Sequence, residues 1–244
     1  MSDFEHGCRA VILAGGKGTR LRPYTVVIPK PLVPVGDYPI VELIIRQLAR
    51  LGFRRITLAV NHQANLIKAF FNDGSQWGVE IDYSLELKPL STIAPLCLIP
   101  DLPENFLLMN GDVLTDLDLQ RLYGAHVRDN RLFTIAASER RQHIDYGVLT
   151  TDSGKLLTGF SEKPHIDYLV SMGVYVVNRR VLEIVPADTK FGFDDLMNAC
   201  LRNGTPIHVE RHAGYWLDIG RPDDYAQAVK DFEQIKRQYL GDES

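Results

Sequence analysis

Arg9-Ala10-Val11-Ile12-Leu13-Ala14-Gly15-Gly16-Lys17-Gly18-Thr19-Arg20 is the stretch on which the fold turns. Arg9–Leu13 is a short apolar run bounded by glycines, the pattern of a strand buried on both faces. The glycines that follow let backbone N–H groups turn toward a bound anion, because a Cβ would block both the turn and the close approach. A strand that empties into a glycine turn is the setting in which such loops cradle phosphates. It is not a Walker A loop, since no Lys-Ser or Lys-Thr follows the glycines. It is not G-x-G-x-x-G either, since Leu21 stands where the third glycine would be. On the glycines alone, a plain tight turn with incidental basic residues stays a competing reading.

Working outward, apolar periodicity predicts a helix over Ile40–Leu51, stopped by Gly52, and a strand over Arg55–Val60. A short helix at Asn65–Phe71 and a strand at Val79–Leu85 follow. Phe106–Met109 is a compact strand running into Asn110-Gly111-Asp112, then come a helix at Leu119–Val127 and a strand at Leu132–Ala137. Strands alternating with helices imply βαβ units and a mainly parallel sheet with right-handed crossovers. The second half differs. Gly147–Thr150, Leu156–Phe160 and Leu169–Val177 read as strands, Arg179–Val185 and Asp194–Asn203 as helices, and Pro206–Val209 as a last strand. Pro222–Tyr239 is an amphipathic helix with Pro222 in its first turn. The expected class is α/β, a Rossmann-like mainly parallel sheet flanked by helices, with a smaller mixed-β portion. One domain is expected over 1–244, with a nucleotide-binding half at about 9–140, a second half at about 141–228 and the C-terminal helix after it.

The 244 residues carry Lys+Arg 27 against Asp+Glu 31, a formal net charge of −4. That balance argues against nucleic acid as a partner and against electrostatic docking on anionic lipid. Cys8, Cys97 and Cys200 are widely spaced, with neither C-x-x-C nor a Cys/His cluster, so no disulfide scaffold or zinc module is expected and a reducing cytoplasm fits. Cys97 and Cys200 read as core residues rather than nucleophiles. His6, His62, His126, His143, His165, His208 and His212 show no ligand spacing. The N-terminal stretch carries acids early and breaks its apolar run with glycines, so neither a secretory leader nor a membrane span is expected.

Arg20, Arg22 and Lys30 bring cations to the glycine turn, while Pro23, Pro29, Pro31 and Pro34 forbid a helix before Pro39. A rigid basic segment after a glycine cradle suits polyphosphate: Arg offers a planar fork and Lys a compact charge. Here the sequence resembles a known family. The run from Ala14 through Gly15, Gly16, Gly18, Thr19, Arg20, Pro23, Thr25, Pro29 and Lys30 to Pro34 is similar to the signature of the sugar-1-phosphate nucleotidylyltransferases, G-x-G-T-R-x-x-P-x-T followed by P-K-x-L. The resemblance continues through Asn110-Gly111-Asp112, Phe160-Ser161-Glu162-Lys163-Pro164, Met172-Gly173-Val174-Tyr175 and Trp216-Leu217-Asp218-Ile219-Gly220-Arg221-Pro222, in the family's order.

The resemblance implies transfer of a nucleotidyl group from an NTP to a sugar 1-phosphate, with release of pyrophosphate. It makes Leu13, Ala14, Gly15, Gly16, Gly18, Thr19 and Arg20 the nucleotide cradle, with Ser91 and Asp112 joining it. On its own residue chemistry Glu86 could accept hydrogen bonds from a guanine N1/N2 edge on the nucleotide side, the competing reading being a strand Glu that simply faces solvent. Arg20, Lys30, Asp112 and Asp218 become the catalytic set, with Mg²⁺ on Asp112 and Asp218. Taken singly, each Asp would read as a turn cap; two carboxylates converging on polyphosphate suit Mg²⁺, which takes few protein oxygens. Gly147, Glu162, Lys163 and Gly173 would form the sugar-phosphate side, which makes 141–228 the sugar-phosphate half. The base side departs from the family's K-P-L-G-T-A-G-P-L, since Ser91, Ile93 and Ala94 replace small or glycine residues. The leading expectation is GTP with a mannose- or manno-heptose-type 1-phosphate. A uridylyl-, cytidylyl- or thymidylyltransferase and a catalytically silent regulatory paralogue stay as alternatives, and self-association as a homodimer stays open.

Overall fold

Arg9–Leu13 forms strand β1 inside the main sheet, and its residues point alternately into two hydrophobic cores. Ala10 and Ile12 join one core, and Val11 joins the other with Leu96 and Leu196. That division explains the unbroken apolar run: neither face of the strand meets water. The computed structural model describes residues 8–61 and 63–241. His6 and His62 therefore lie outside the described residues.

After β1 the chain makes the small strands β2 (Pro34–Val35) and β3 (Tyr38–Pro39), helix α1 (Ile40–Arg50) and strand β4 (Arg55–Val60). Helix α2 (Ala64–Phe71), β5 (Glu80–Leu85), β6 (Asn105–Asn110), β7 (Val113–Thr115) and α3 (Leu119–Arg128) complete the first half. The second half contributes β8 (Phe133–His143), β9 (Val148–Asp152), β10 (Leu156–Ser161), β11 (His165–Asn178), α4 (Phe193–Asn203), β12 (Ile207–His212), β13 (Trp216–Asp218) and α5 (Pro222–Leu240).

The main sheet has the order β12-β8-β11-β6-β1-β4-β5. β11 runs antiparallel to both β6 and β8, and the other pairings in this sheet are parallel. The chain moves from β1 outward through β4 to β5 and then returns to lay β6 on the other side of β1. Strand order reverses at that point, so a crevice opens beyond the carboxyl ends of β1 and β6. Strands β8, β11 and β12 continue the same sheet, and β9 and β10 form a separate antiparallel ribbon.

Two strands run well past their expected ends. β8 was expected to stop at Ala137 and reaches His143, and β11 begins at His165 rather than Leu169. Their outer halves are exposed: that of β8 is polar, and in β11 Ile166 and Tyr168 alternate with polar residues but cover no core, so no buried apolar face marks either. Cross-strand pairs hold them instead, as where Arg141 donates to both carboxylate oxygens of Asp167 at 2.6 and 3.0 Å. Cys97 also departs from expectation. The 3-10 turn Ala94–Leu98 buries Ala94, Pro95 and Leu96 and turns Cys97 outward.

Helices α3 and α5 start where side chains satisfy free backbone N–H groups. Asp118 accepts from Arg121 N at 2.8 Å to open α3, and Asp224 accepts from Arg221 N at 2.8 Å to open α5 beside Pro222. α5 packs on α1 and buries Ala228, Phe232 and Tyr239. Near its end Gln238 and Tyr239 donate to the carbonyl of Thr115, which also accepts from Gln47 at 2.8 Å. That carbonyl ends β7, so the last helix anchors the ribbon of β7 and β13. Among the described residues no helix is long and apolar enough to cross a membrane.

Candidate active site

The glycine turn leaves β1 with Ala14 N donating to Ala59 O at 2.8 Å, so it starts pinned to β4. Gly18 has φ +61°, and a Cβ there would lie 2.9 Å from Thr25 Cγ2 and 3.1 Å from Lys30 Cβ. Only glycine meets both demands. Thr25 Oγ1 donates to Gly18 O at 2.6 Å and ties the basic, proline-rich segment back onto the turn. Thr19, Arg20 and Leu21 then make a 3-10 turn. The paired Thr25 and Pro29-Lys30 of the signature thus have a packing reason as well as a chemical one.

Asp112 lies in the turn between β6 and β7, and Asp218 ends β13. The antiparallel pairing of β7 with β13 sets Asp218 opposite Val113, and Ile219 N donates to Asp112 O at 2.9 Å. Two carboxylates distant in sequence are brought to one place by that short ribbon. Lys30 Nζ forms an ion pair with Asp112 Oδ2, both side chains being largely buried. Asp218 Oδ1 is buried and has no hydrogen-bond partner among the described residues. Burial, and next the Asp112 carboxylate, push the Asp218 carboxyl above its ordinary value, while Lys30 and Arg20 pull it back. The Arg20 guanidinium lies beside Gly220, 3.4 Å from where a Cβ on that glycine would be.

An orphaned carboxylate oxygen beside a second carboxylate is a place for positive charge. The donors are hard oxygens, and no group of three or more His, Cys, Asp or Glu that could hold a metal assembles among the described residues. Asp112 and Asp218 therefore fit a cation of the Mg²⁺ type, which binds one or two carboxylates and fills its shell with phosphate and water.

Two cavities open here. One, of about 210 Å³, runs from Ala14, Gly16 and Gly18 to Arg20, Lys30 and Asp112. The other, of about 390 Å³, is lined by Gly15, Lys17, Asn61, Glu86, Ser91 and Asn110 among others. They share Leu13, Gly16 and Asp112, which makes them two ends of one crevice. The larger end has Glu86 in its wall. Glu86 Oε2 accepts from Asn61 Nδ2 at 3.0 Å, and Oε1 accepts from Leu90 N. Ser91, where the family pattern has glycine, has φ +77° and keeps the left-handed backbone that a glycine would supply. The loop is clamped from behind: Ile93 N and Ala94 N donate to Phe191 O at 3.1 and 3.0 Å, and Phe193 N donates to Thr92 Oγ1 at 2.9 Å.

On the sugar side, a Cβ on Gly147 would meet Phe160 at 2.7 Å and Glu162 Oε2 at 3.2 Å, so Gly147 and Glu162 are neighbours. Lys163 has φ +44° and is exposed. Gly173, at φ +72°, lies against Asn110, whose Nδ2 is 2.5 Å from its Cβ position. Trp216 Nε1 donates to Met172 O at 2.9 Å and carries the Arg140 guanidinium over its ring at 4.5 Å. Trp216 thus joins the bulge of β11 to the strand that ends at Asp218.

The crevice therefore gathers Leu13, Ala14, Gly15, Gly16, Gly18, Thr19, Arg20, Lys30, Glu86, Ser91 and Asp112, with Asp218 beside Asp112 and Lys30. Gly173 borders it through Asn110. Neither cavity is lined by Gly147, Glu162 or Lys163, which stand on the β9–β10 side. Asn61 was not among the expected site residues, and Asn110 and Trp216, though part of the quoted motifs, carried no expected role. Asn61 and Asn110 had a signal: each is the polar residue that closes an apolar strand at its carboxyl end.

The strand order and the crevice at its reversal define a doubly wound α/β protein of the nucleotide-binding kind. The profile of the nucleotidyl transferase family matches residues 9–235, and the chain belongs to that family. It is 34% identical to a UTP–glucose-1-phosphate uridylyltransferase of Synechocystis sp., covering 91% of this chain and 62% of that protein. It is 32% identical to the mannose-1-phosphate guanylyltransferase catalytic subunit beta of Drosophila pseudoobscura pseudoobscura, covering 90% of this chain and 61% of that one. The chain thus spans about three-fifths of the length of these curated relatives. Among solved structures, HddC from Yersinia pseudotuberculosis superposes with a TM-score of 0.72 at 26% identity, covering 92% of this chain and 99% of that one. HddC has also been solved in complex with GMP-PN. Nucleotidyltransferases of this family generally use a divalent metal.

Proposed function

We propose that the chain transfers a guanylyl group from GTP to a mannose- or manno-heptose-type 1-phosphate, giving a nucleotide sugar and pyrophosphate. The observation that carries nucleotidyl transfer is the meeting of Asp112, the orphaned Asp218, Lys30 and Arg20 beside the glycine turn. An oxygen of the sugar phosphate attacks the α-phosphorus as the bond to the β-phosphate oxygen breaks. The attacking phosphate is already ionised, so no protein nucleophile or general base is needed and catalysis rests on placement and charge. Arg20 holds the departing pyrophosphate. Lys30 moves from its pair with Asp112 to the charge that develops at the α-phosphate. Glu162 accepts hydrogen bonds from sugar hydroxyls and Lys163 neutralises the sugar phosphate. Asp112 and Asp218 would hold Mg²⁺, which would supply positive charge to stabilise the phosphoryl transfer.

The choice of guanine follows from Glu86, an acceptor-only group in the wall of the larger cavity, and agrees with the names of the guanylyl relatives. The uridylyltransferase relative keeps a uridylyl reading alive. Pyrophosphate release measured with GTP, UTP, CTP, dTTP and ATP against a panel of sugar 1-phosphates separates the two. GTP with a manno-configured 1-phosphate is expected to lead. A preference for UTP moves the assignment to uridylyl transfer, and no release with any pair overturns the enzymatic reading.

A further inference from the structure

Asn61 closes β4 at the carboxyl end of the sheet and faces the larger cavity together with Glu86. Its backbone and Cβ lean on the glycine turn, with Cβ 3.2 Å from where a Gly15 Cβ would stand. Glu86 extends the neighbouring edge, its own N–H donating to Val60 O at 2.9 Å. Between the two, Asn61 Nδ2 donates to Glu86 Oε2 at 3.0 Å, while Leu90 N–H holds Oε1. The Asn61 amide can donate to Glu86 only by presenting its oxygen elsewhere, and that oxygen has no donor among the described residues.

We infer that Asn61 is a base-selecting positioning residue: it fixes the Glu86 carboxylate and adds its own amide oxygen to a wall made of acceptors. This rests on the guanylyl reading and deepens it. An ionised carboxylate has about four lone-pair sites. Glu86 lines the cavity, so with one donor fixed on each oxygen the remaining sites are left for a ligand there. Guanine offers adjacent donors on one edge, N1–H and the N2 amino group, and matches such a wall. Uracil and thymine offer one N–H between two carbonyl oxygens, which would face like acceptors. Adenine and cytosine put a bare ring nitrogen beside the amino group. A wall of fixed acceptors therefore rejects the other bases by leaving acceptor against acceptor. If Glu86 were free to swing, it could turn an oxygen away and the discrimination would fade.

Two variants test this, with thermal melts to show that each is folded. Asn61→Ala removes the hold on Oε2, and the KM for GTP should rise about tenfold while kcat falls far less. Asn61→Asp keeps the shape but sets a second carboxylate against Glu86. It should be worse than alanine for GTP, whereas a residue that only filled space would show the reverse order. The KM for UTP should change little in both, so GTP-over-UTP selectivity should fall from wild type to Asn61→Ala to Asn61→Asp. Calorimetric titration with GMP should give the same order without turnover. Equal effects on GTP and UTP, or aspartate better tolerated than alanine, overturn the inference about Asn61. Failure of the guanylyl reading shows separately, as a wild-type preference for another NTP or a selectivity unmoved by Glu86→Gln.

Discussion

Replacing Asp218 by Asn should raise thermal stability in metal-free buffer and abolish most activity. The first effect is unusual for a buried site and follows from the geometry. Asp218 Oδ1 is buried without a partner, and Asp112 stands next to it, while Lys30 is committed to Asp112. Asparagine removes the charge that faces Asp112 and can turn an amide N–H toward that carboxylate, and a buried polar oxygen left unpaired, as Asp218 Oδ1 is, costs about 1–3 kcal/mol. The partial exposure of Asp218 and the pull of Arg20 and Lys30 hold the gain to the lower end, about 1 kcal/mol, or roughly 2–4 °C in Tm for a chain of this size. Asp112→Asn should do the opposite, because it leaves the largely buried Lys30 ammonium unpaired. For activity, loss of one charge-stabilising group is worth about 10²–10³ in kcat. The two aspartates act as a unit, so the double variant should be little worse than the worse single. The assay is scanning calorimetry in chelator for both singles and the double, beside kcat at several Mg²⁺ concentrations. A lowered Tm for Asp218→Asn without metal, or a near-normal Mg²⁺ dependence, would refute the shared cation site and return Asp218 to a turn-capping role.

Lys163→Ala should raise the KM for the sugar phosphate by roughly tenfold or more and leave the KM for the NTP almost unmoved, since a charge-assisted contact is lost on one substrate only; equal changes would remove Lys163 from the sugar side. Gly173→Ala should cost about 2 kcal/mol in a denaturant titration, because φ +72° strains an L-residue and the new methyl would press on Asn110; an unchanged midpoint would show that the bulge tolerates a side chain. His126 is fully buried between Thr134 and Asn105, and burial, then Arg131 and His208, pull its pKa down to about 4 from the ordinary 6.5. The unfolded chain therefore binds a proton that the folded chain refuses between those values, and stability should fall as pH drops through 6.5 toward 4, by about 2 kcal/mol at pH 5. Denaturant melts of wild type and His126→Asn from pH 7.5 to 4.5 check it, and an equal slope in both would dismiss His126 as the cause.

The nucleotide side of the fold was legible because its physics is local. β1 and β4 begin and end where the apolar runs do, and α1 stops one residue short of its expected end, because a strand covered on both faces must be apolar throughout. The glycine turn was legible for the same reason: Gly18 is needed at a positive φ a few residues from the strand that delivers it. The outer halves of β8 and β11 were not legible, because they lie outside the cores: exposed Glu139, Arg140 and Arg141 carry no apolar period, the short alternation of Ile166 and Tyr168 is exposed, and both segments are strands only through the partner they face.

The candidate site divides along the same line. Residues that a single strand and its turn place, from Leu13 to Arg20 and at Asp112, could be located in the crevice from the sequence. Asp218 was set beside Asp112 only by the family resemblance, because nothing local around it says that Trp216-Leu217-Asp218 will pair antiparallel with Val113-Leu114-Thr115. Only that pairing converts two ordinary turn aspartates into a carboxylate pair with one oxygen left bare. The pairing in turn depends on residues far from the chemistry: Gln47 on α1 and Gln238 and Tyr239 at the end of α5 all bind the Thr115 carbonyl. The last helix therefore supports the candidate site energetically although it contributes no group to it. Gln238→Ala should accordingly weaken Mg²⁺ dependence before it lowers nucleotide affinity, since the glycine turn has its own anchors at Ala59 and Thr25. Titrating Mg²⁺ at saturating NTP, and NTP at saturating Mg²⁺, separates the two, and an equal loss in both would mean that α5 supports the fold as a whole rather than the ribbon that carries Asp218.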